Sequence, residues 1–254
     1  MPLPRRAHFR DFLARLGLAG TLVPEEPTLP QLAENHARFA ERDRQAFHAR
    51  LLEDIDFAVL DTELTGMDPA RDEIVSIGAV RVRGLRLDPR DGFYALARPE
   101  AEQPRVATLI HRLTPEMLRA APPVAEVLPG LLDWLGDSLI VGHHVGLDMA
   151  FLNRALRRHY GAGLRTPCLD TMRLAQAFQE DRWENRYDAF NLKISYNLAA
   201  LAETYGLPKL PAHNAWADAL QAAYLFLFLV RKLRSGRLRT LHDLHQTAKP
   251  RRFL

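Results

Sequence analysis

The chain has 254 residues, of which 47% are hydrophobic and 26% charged, with a formal net charge of +3. That composition supports an ordinary globular core, and the mild basic excess is compatible with a polyanionic partner without arguing for one. The single cysteine, Cys168, excludes an intrachain disulfide and a thiolate metal cluster and fits a reducing cytoplasm. The apolar run AYLFLFLV is too short to span a membrane, and no signal peptide is evident.

Residues 1–50 read as a helical extension without strand signal. An amphipathic AHFRDFLARLGL is followed by the proline-bearing TLVPEEPTLP and then by a long polar helical pattern, QLAENHARFAERDRQAFHARLLEDI. From Phe57 the pattern changes to strands. DFAVLD is an apolar run ending in a carboxylate, EIVSIGAVRVRG alternates with β-branched residues, and GFYALARP is a third candidate. These suggest an antiparallel meander with turns near MDPARD and LRLDPRDG. Thr114 and Pro115 mark an N-cap and first turn for a short helix over 114–119. APPVAEVLPGLLDWLGD reads as a helix, SLIVGHH as a buried strand, and LDMAFLNRALRRHYG as a helix stopped by Gly161. CLDTMRLAQAFQE, SYNLAALAETYGL and NAWADALQAAYLFLFLVRKLRSG read as a helical C-terminal half. The organisation expected is therefore a helical extension (1–50), a main domain (51–235) and a basic tail (236–254). Strands followed by strand–helix alternation imply an α/β layer fold with a mixed sheet.

Three separated segments carry the chemistry. In DTELTG, Asp61 and Glu63 are two apart, so on a strand they share a face. Crowded carboxylates repel unless protons or cations intervene, and hard divalent ions such as Mg²⁺ or Mn²⁺ prefer such oxygen ligands. In GHHVGLDMAFL, Asp148 falls in the first turn of a helix that follows a buried strand. In HNAWADA, a helix beginning near Asn214 leaves His213 on the preceding loop and Asp218 one turn inside, a pairing suited to a general base beside a fixed ligand. Taken singly, the motifs also read as an acidic turn, a helix-start carboxylate and a histidine beside an N-cap. Taken together, they describe two cations about 3.5–4 Å apart clamping a scissile phosphate, with a histidine to accept a water proton. No GxxxxGK[ST] phosphate loop competes.

DTELTGMD, GHHVGLDMAFL and HNAWADA resemble the three motifs of the DEDDh class of 3′–5′ exonucleases, the group related to the bacterial DNA polymerase III epsilon proofreading subunit. CLDTMRLAQAF and NLAALAETYGLP are similar to its intervening segments, and the likeness covers roughly residues 55–230. The resemblance implies an RNase H-like fold, a central mixed five-stranded sheet flanked by helices, here with the N-terminal helical extension. It implies that Asp61, Glu63, Asp148 and Asp218 bind two divalent cations, Mg²⁺ or Mn²⁺, and that His213 is the general base. It also implies contacts to the 3′-terminal nucleotide from Thr62, Leu64 and Thr65, and from His143 and Leu147. Leu64, His144 and Leu147 depart from residues common in the family, as does Arg112, which stands where glycine usually follows the histidine of IHRLTPEML.

The activity implied is release of nucleoside 5′-monophosphates from nucleic-acid 3′ ends, single-stranded DNA first and short RNA as the rival substrate. A catalytically weak nucleic-acid-binding or polymerase-accessory module is the alternative from another class. Attachment to a DNA polymerase and homodimer formation are left open, with no membrane role expected. Trp183, Tyr187 and Phe190 of EDRWENRYDAFN are expected to pack the loop rather than stack on bases, and Cys168 to be buried filler.

Overall fold

The computed structural model describes residues 29–39, 48–101, 104–184, 195–233 and 238–248. Its centre is a five-stranded mixed sheet in the order β3-β2-β1-β4-β5. The strands are β1 (Asp56–Leu64), β2 (Ile74–Arg83), β3 (Arg86–Leu96), β4 (Leu139–Gly142) and β5 (Cys168–Asp170). β1, β2 and β3 pair antiparallel in succession, while β4 runs parallel to β1 and β5 parallel to β4. The helices are α1 (Pro30–Arg38), α2 (Arg105–His111), α3 (Pro115–Ala120), α4 (Val124–Leu135), α5 (Gly146–Tyr160), α6 (Thr171–Glu184), α7 (Leu198–Thr204), α8 (Ala215–Leu233) and α9 (Leu241–Ala248).

Period-two alternation along β1 separates the two cores. Phe57 and Val59 join Val80, Val82 and the apolar face of α8 on one side. Ala58 and Leu60 join α4 and α5 on the other. Asp61 and Glu63 continue the α8-side row, and Thr62 continues the α5-side row. The strand that builds the core thus delivers its two acids to the α8 face as its apolar run ends.

Several expected elements hold. The meander is present, Thr114 caps the helix beginning at Pro115 by accepting from the Met117 N–H, and Gly161 ends α5 in the left-handed region. Others need correction. CLD, read as helical, is the fifth strand, aligned with Ile140, Val141 and Gly142 of β4. The turn near LRLDPRDG is Gly84–Leu85, both at positive φ, so only the first residue of that stretch turns. Its remaining residues, 86–92, belong to β3, whose register slips between Val80 and Arg81, and Pro89 is tolerated there because β3 is an edge strand.

The long helical pattern over 31–55 is also broken. α1 ends at Arg38, a 3₁₀ turn occupies Leu52–Asp54, and β1 starts at Asp56. α1 is not a free arm. Leu32 is fully buried in the α4–α5 core, Asn35 donates to Thr166 Oγ1 at 2.6 Å, and the Asn35 amide oxygen accepts from Arg165 N–H at 2.8 Å. The tail expected at 236–254 contains α9, whose Leu241, Leu244 and Ala248 are buried in the α8 core together with Leu238. AHFRDFLARLGL, KPRR, Tyr187 and Phe190 lie outside the described residues.

Candidate active site

The site forms where β1 and β4 end and α5 and α8 begin. Its assembly depends on one close approach. Asp61 pairs across the sheet with Gly78, and a Cβ at Gly78 would come within 2.2 Å of the Trp216 backbone nitrogen. Only a glycine lets the first turn of α8 sit on β2 at this point. That contact brings Asp218 to the two acids of β1. One ligand oxygen from each of Asp61, Glu63 and Asp218 falls within 4.8 Å of the others, the one such group among the described residues.

Asp148 enters from the opposite face. It is 6% exposed, and its Oδ1 accepts from Thr62 N–H at 2.9 Å and from the Thr62 hydroxyl at 2.6 Å. Thr62, on the α5-side row of β1, thereby ties the helix-start carboxylate to the strand that carries Asp61 and Glu63. Arg154 of α5 reinforces the same junction by donating to the carbonyls of Pro69 and Asp72 in the β1–β2 turn.

The electrostatics follow from crowding. Burial, then Asp148, Asp218 and Glu63 in that order, hold the Asp61 carboxyl well above the usual carboxylate range. Glu63 is pushed up to about 8 by burial and then by Asp218 and Asp148. Burial raises Asp148 to about 7 against the opposing pull of the Thr62 hydrogen bonds. Burial also raises Asp218, although the N–H groups of Asn214 and His213 and the His213 imidazole oppose it. Four carboxylates arranged this way resist simultaneous ionisation unless cations join them, so the donor set fits hard divalent ions.

His213 is exposed on the loop before α8, with φ 62°, and its backbone N–H donates to Asp218 Oδ2 at 2.8 Å. The loop geometry is thus fastened to a candidate metal ligand while the imidazole stays outside the core. His213 and Asp218 line, with Asp61, His144, Met172 and Tyr196, a cleft of about 390 Å³.

The residues expected to touch the terminal nucleotide divide. Leu64 and Leu147 are half-buried against the α4–α5 core, with part of each surface still available. Thr62 is committed to Asp148. Thr65 closes the β1–β2 turn, its hydroxyl donating to Asp72 Oδ1 at 3.1 Å and accepting from Glu73 N–H at 3.0 Å. His143 lines the cleft, but both its ring nitrogens are engaged inside the protein. Nε2 donates to the Tyr196 carbonyl and Nδ1 accepts from the Thr171 hydroxyl, each at 2.9 Å. It is a strut for the β4–α5 loop, and burial holds it below the ordinary imidazole range.

Sequence reading missed Asp170. This carboxylate is 1% exposed, and its Oδ1 accepts from the N–H groups of His144 and Met172 at 2.9 Å each, joining the start of α6 to the histidine loop. The Asp-Thr-Met order is a readable N-cap signal, masked by the helical pattern that runs through CLDTMRLAQAFQE.

A mixed sheet with an acid cluster at the ends of its central strands, and a histidine on the rim, defines the class of metal-assisted phosphodiester nucleases. The family model described as exonuclease, RNase_T, matches residues 58–226, and the chain belongs to that exonuclease family. Its likeness to the DEDDh group of 3′–5′ exonucleases extends to sequence and fold. It is 31% identical over 177 residues to the DNA polymerase III subunit epsilon of Aquifex aeolicus, covering 70% of this chain and 81% of that protein. It is 33% identical over 193 residues to the PolC-type DNA polymerase III of Thermotoga maritima, covering 76% of this chain but only 13% of that protein. The chain therefore spans a small part of the PolC-type relatives. The nuclease domain of 3′hExo, a DEDDh family member solved bound to rAMP, superposes with a TM-score of 0.58 at 17% identity, covering 73% of this chain and 94% of that one, a likeness of fold. Among the described residues, no helix is long and apolar enough to cross a membrane.

Proposed function

We propose that the chain hydrolyses phosphodiester bonds from nucleic-acid 3′ ends, releasing nucleoside 5′-monophosphates with the help of two divalent cations, Mg²⁺ or Mn²⁺. The observation that carries this reading is the meeting of ligand oxygens from Asp61, Glu63 and Asp218 within 4.8 Å, with Asp148 close enough to raise both β1 acids. Asp61, Glu63, Asp148 and Asp218 would hold the cations, which supply Lewis-acid stabilisation of the attacking and leaving oxygens. The chain's own contribution is geometric and acid–base. Thr62 fixes Asp148, and Gly78 lets Asp218 approach. The exposed imidazole of His213 takes the proton of the attacking water. Leu64 and Leu147 offer apolar surface for a terminal base. We take residues 51–235 as the catalytic unit, with α1 and α9 packed upon it.

DNA ends are the preferred substrate, in keeping with the DNA polymerase III names of the relatives. RNA is the second reading, favoured by the ribonucleotide bound to the 3′hExo nuclease domain. The test is release of labelled mononucleotide from matched 3′-labelled DNA and RNA oligonucleotides with Mg²⁺ or Mn²⁺. Wild type should release 5′-monophosphates only with metal, and faster from DNA. Asp61→Asn should lower turnover by at least about 10³-fold. Binding without release would favour an accessory module, and full turnover by Asp61→Asn would defeat the assignment.

A further inference from the structure

The loop that carries His213 is held from one face of α8. Asp218 Oδ2 accepts from the His213 N–H at 2.8 Å and from the Asn214 N–H at 3.2 Å. Gln221 lies three residues further along α8, on the same face, and its Oε1 accepts from the Leu210 N–H at 3.1 Å. Two successive turns of one helix thus grip the loop at Leu210 and at His213. Among the described residues, no other hydrogen bond ties the backbone of residues 208–212 to the body. Pro208, Lys209, Pro211 and Ala212 are exposed, and only the Leu210 side chain rests on the α8 core.

Gln221 is a poor choice for this place if packing is its task. It is 5% exposed, and it lines the cleft together with Asp61, His213 and Asp218. Its Nε2 is buried and meets no acceptor among the described residues. The amide is fixed in this sense, because turning it over would set an N–H against the Leu210 N–H. A buried donor left unpaired costs about 1–3 kcal/mol, at least as much as one neutral hydrogen bond contributes. Methionine or leucine would fill a similar volume without that cost. The amide therefore adds little to stability, and what it does supply is the place of the Leu210 backbone.

We propose that Gln221 is a positioning residue for the candidate base: by accepting the Leu210 N–H it fixes the upstream end of the 210–213 loop, as Asp218 fixes the downstream end, and so aims the exposed His213 imidazole at the cleft. With only the Asp218 end held, the loop would hinge about the His213 N–H and the imidazole would wander from the attacking water. A displacement of about 1 Å is enough to cost up to a hundredfold in rate. Gln221 itself touches no reacting atom. The inference rests on the exonuclease reading of the site and adds to it the residue that aims its base.

The test uses Gln221→Met in the full chain, alone and combined with His213→Asn. Methionine keeps the bulk and removes both the acceptor and the unpaired donor, so the thermal midpoint should hold or rise. With saturating Mn²⁺ and a single-stranded DNA oligonucleotide, kcat should fall about tenfold, with KM and Mn²⁺ affinity kept. In the His213→Asn background the same substitution should cost less than about twofold, because a loop without its base has nothing to aim. Hydrogen exchange at the Leu210 amide should quicken at least about tenfold in Gln221→Met, while the amides of α8 keep their protection. Wild-type kcat in Gln221→Met, a full tenfold loss in the His213→Asn background, or unchanged exchange at Leu210 would overturn the proposal. Should Gln221→Met unfold, Gln221→Leu carries the same readouts. Metal-independent wild-type turnover or an active Asp61→Asn would instead overturn the underlying site.

Discussion

Asp61, Glu63 and Asp148 stand on a strand and a helix whose hydrogen bonds and packing leave them little freedom, whereas His213, His144 and Arg112 stand on loops or caps with left-handed backbone. The acids are buried or half-buried, while His213 and Arg112 are exposed. The floor of the cleft is thus a fixed oxygen array, and its rim carries His144 and His213 on left-handed backbone. On the proposed reading, cation binding calls for preset geometry and is assigned to regular elements. Proton transfer calls for reach and is assigned to the rim.

Separating the two regions by substitution should give the largest effects. Asp148→Asn keeps the size of the side chain and removes a floor charge. Turnover should fall by at least about 10³-fold, while the metal-free protein should melt no lower, because a repulsive buried charge is gone. His213→Asn suits the left-handed backbone and should lower turnover by roughly 10²- to 10³-fold with cation affinity unchanged. Equal loss of cation affinity in both variants, measured by calorimetry, would erase the distinction between floor and rim.

A scaffold change should leave both regions intact. Leu32 is fully buried between α1 and the α4–α5 core. Leu32→Ala should destabilise the protein by about 2–4 kcal/mol in urea titrations, with kcat held. A fall in kcat without a fall in stability would mean that α1 acts on the site.

The smallest expected effect is on pH. Glu63 and Asp148 are raised when folded, to about 8 and about 7. The metal-free native state therefore binds more protons than the unfolded chain above the ordinary carboxylate range, and its stability falls as pH rises through those values. His111 and His143, lowered by burial, act in the opposite direction only below the ordinary imidazole range. From roughly pH 7 to 8.5 the carboxylate trend should stand alone. The thermal midpoint should decline across that interval without metal, and saturating Mn²⁺ should raise it most at the upper end. A flat metal-free profile would mean that the floor carboxylates are not crowded.

The floor was more legible in the sequence than the rim. An apolar strand ending in Asp-x-Glu, and a helix-start aspartate after a buried strand, point to placed carboxylates once the segments are read together. The loop histidine before α8 was legible by its spacing to Asp218. The partner commitments of Thr62, Thr65 and His143 were not, because they depend on contacts between distant segments. Nor does spacing reveal that Gly78 seats α8. β5 escaped because three strand residues run into α6 without a glycine or proline between them. α9 escaped because the arginines of RKLRSGRLRT outweigh the buried Leu238, Leu241 and Leu244 in any compositional reading.

The most direct measurement is calorimetric titration of Mn²⁺ into the full chain and into Asp61→Asn at neutral pH. Gathering of the four acids around shared cations predicts two ions bound per wild-type chain, with at least about a tenfold loss of affinity in the variant. Equal stoichiometry and affinity in the two proteins would show that Asp61 takes no part in holding metal and would contradict the account.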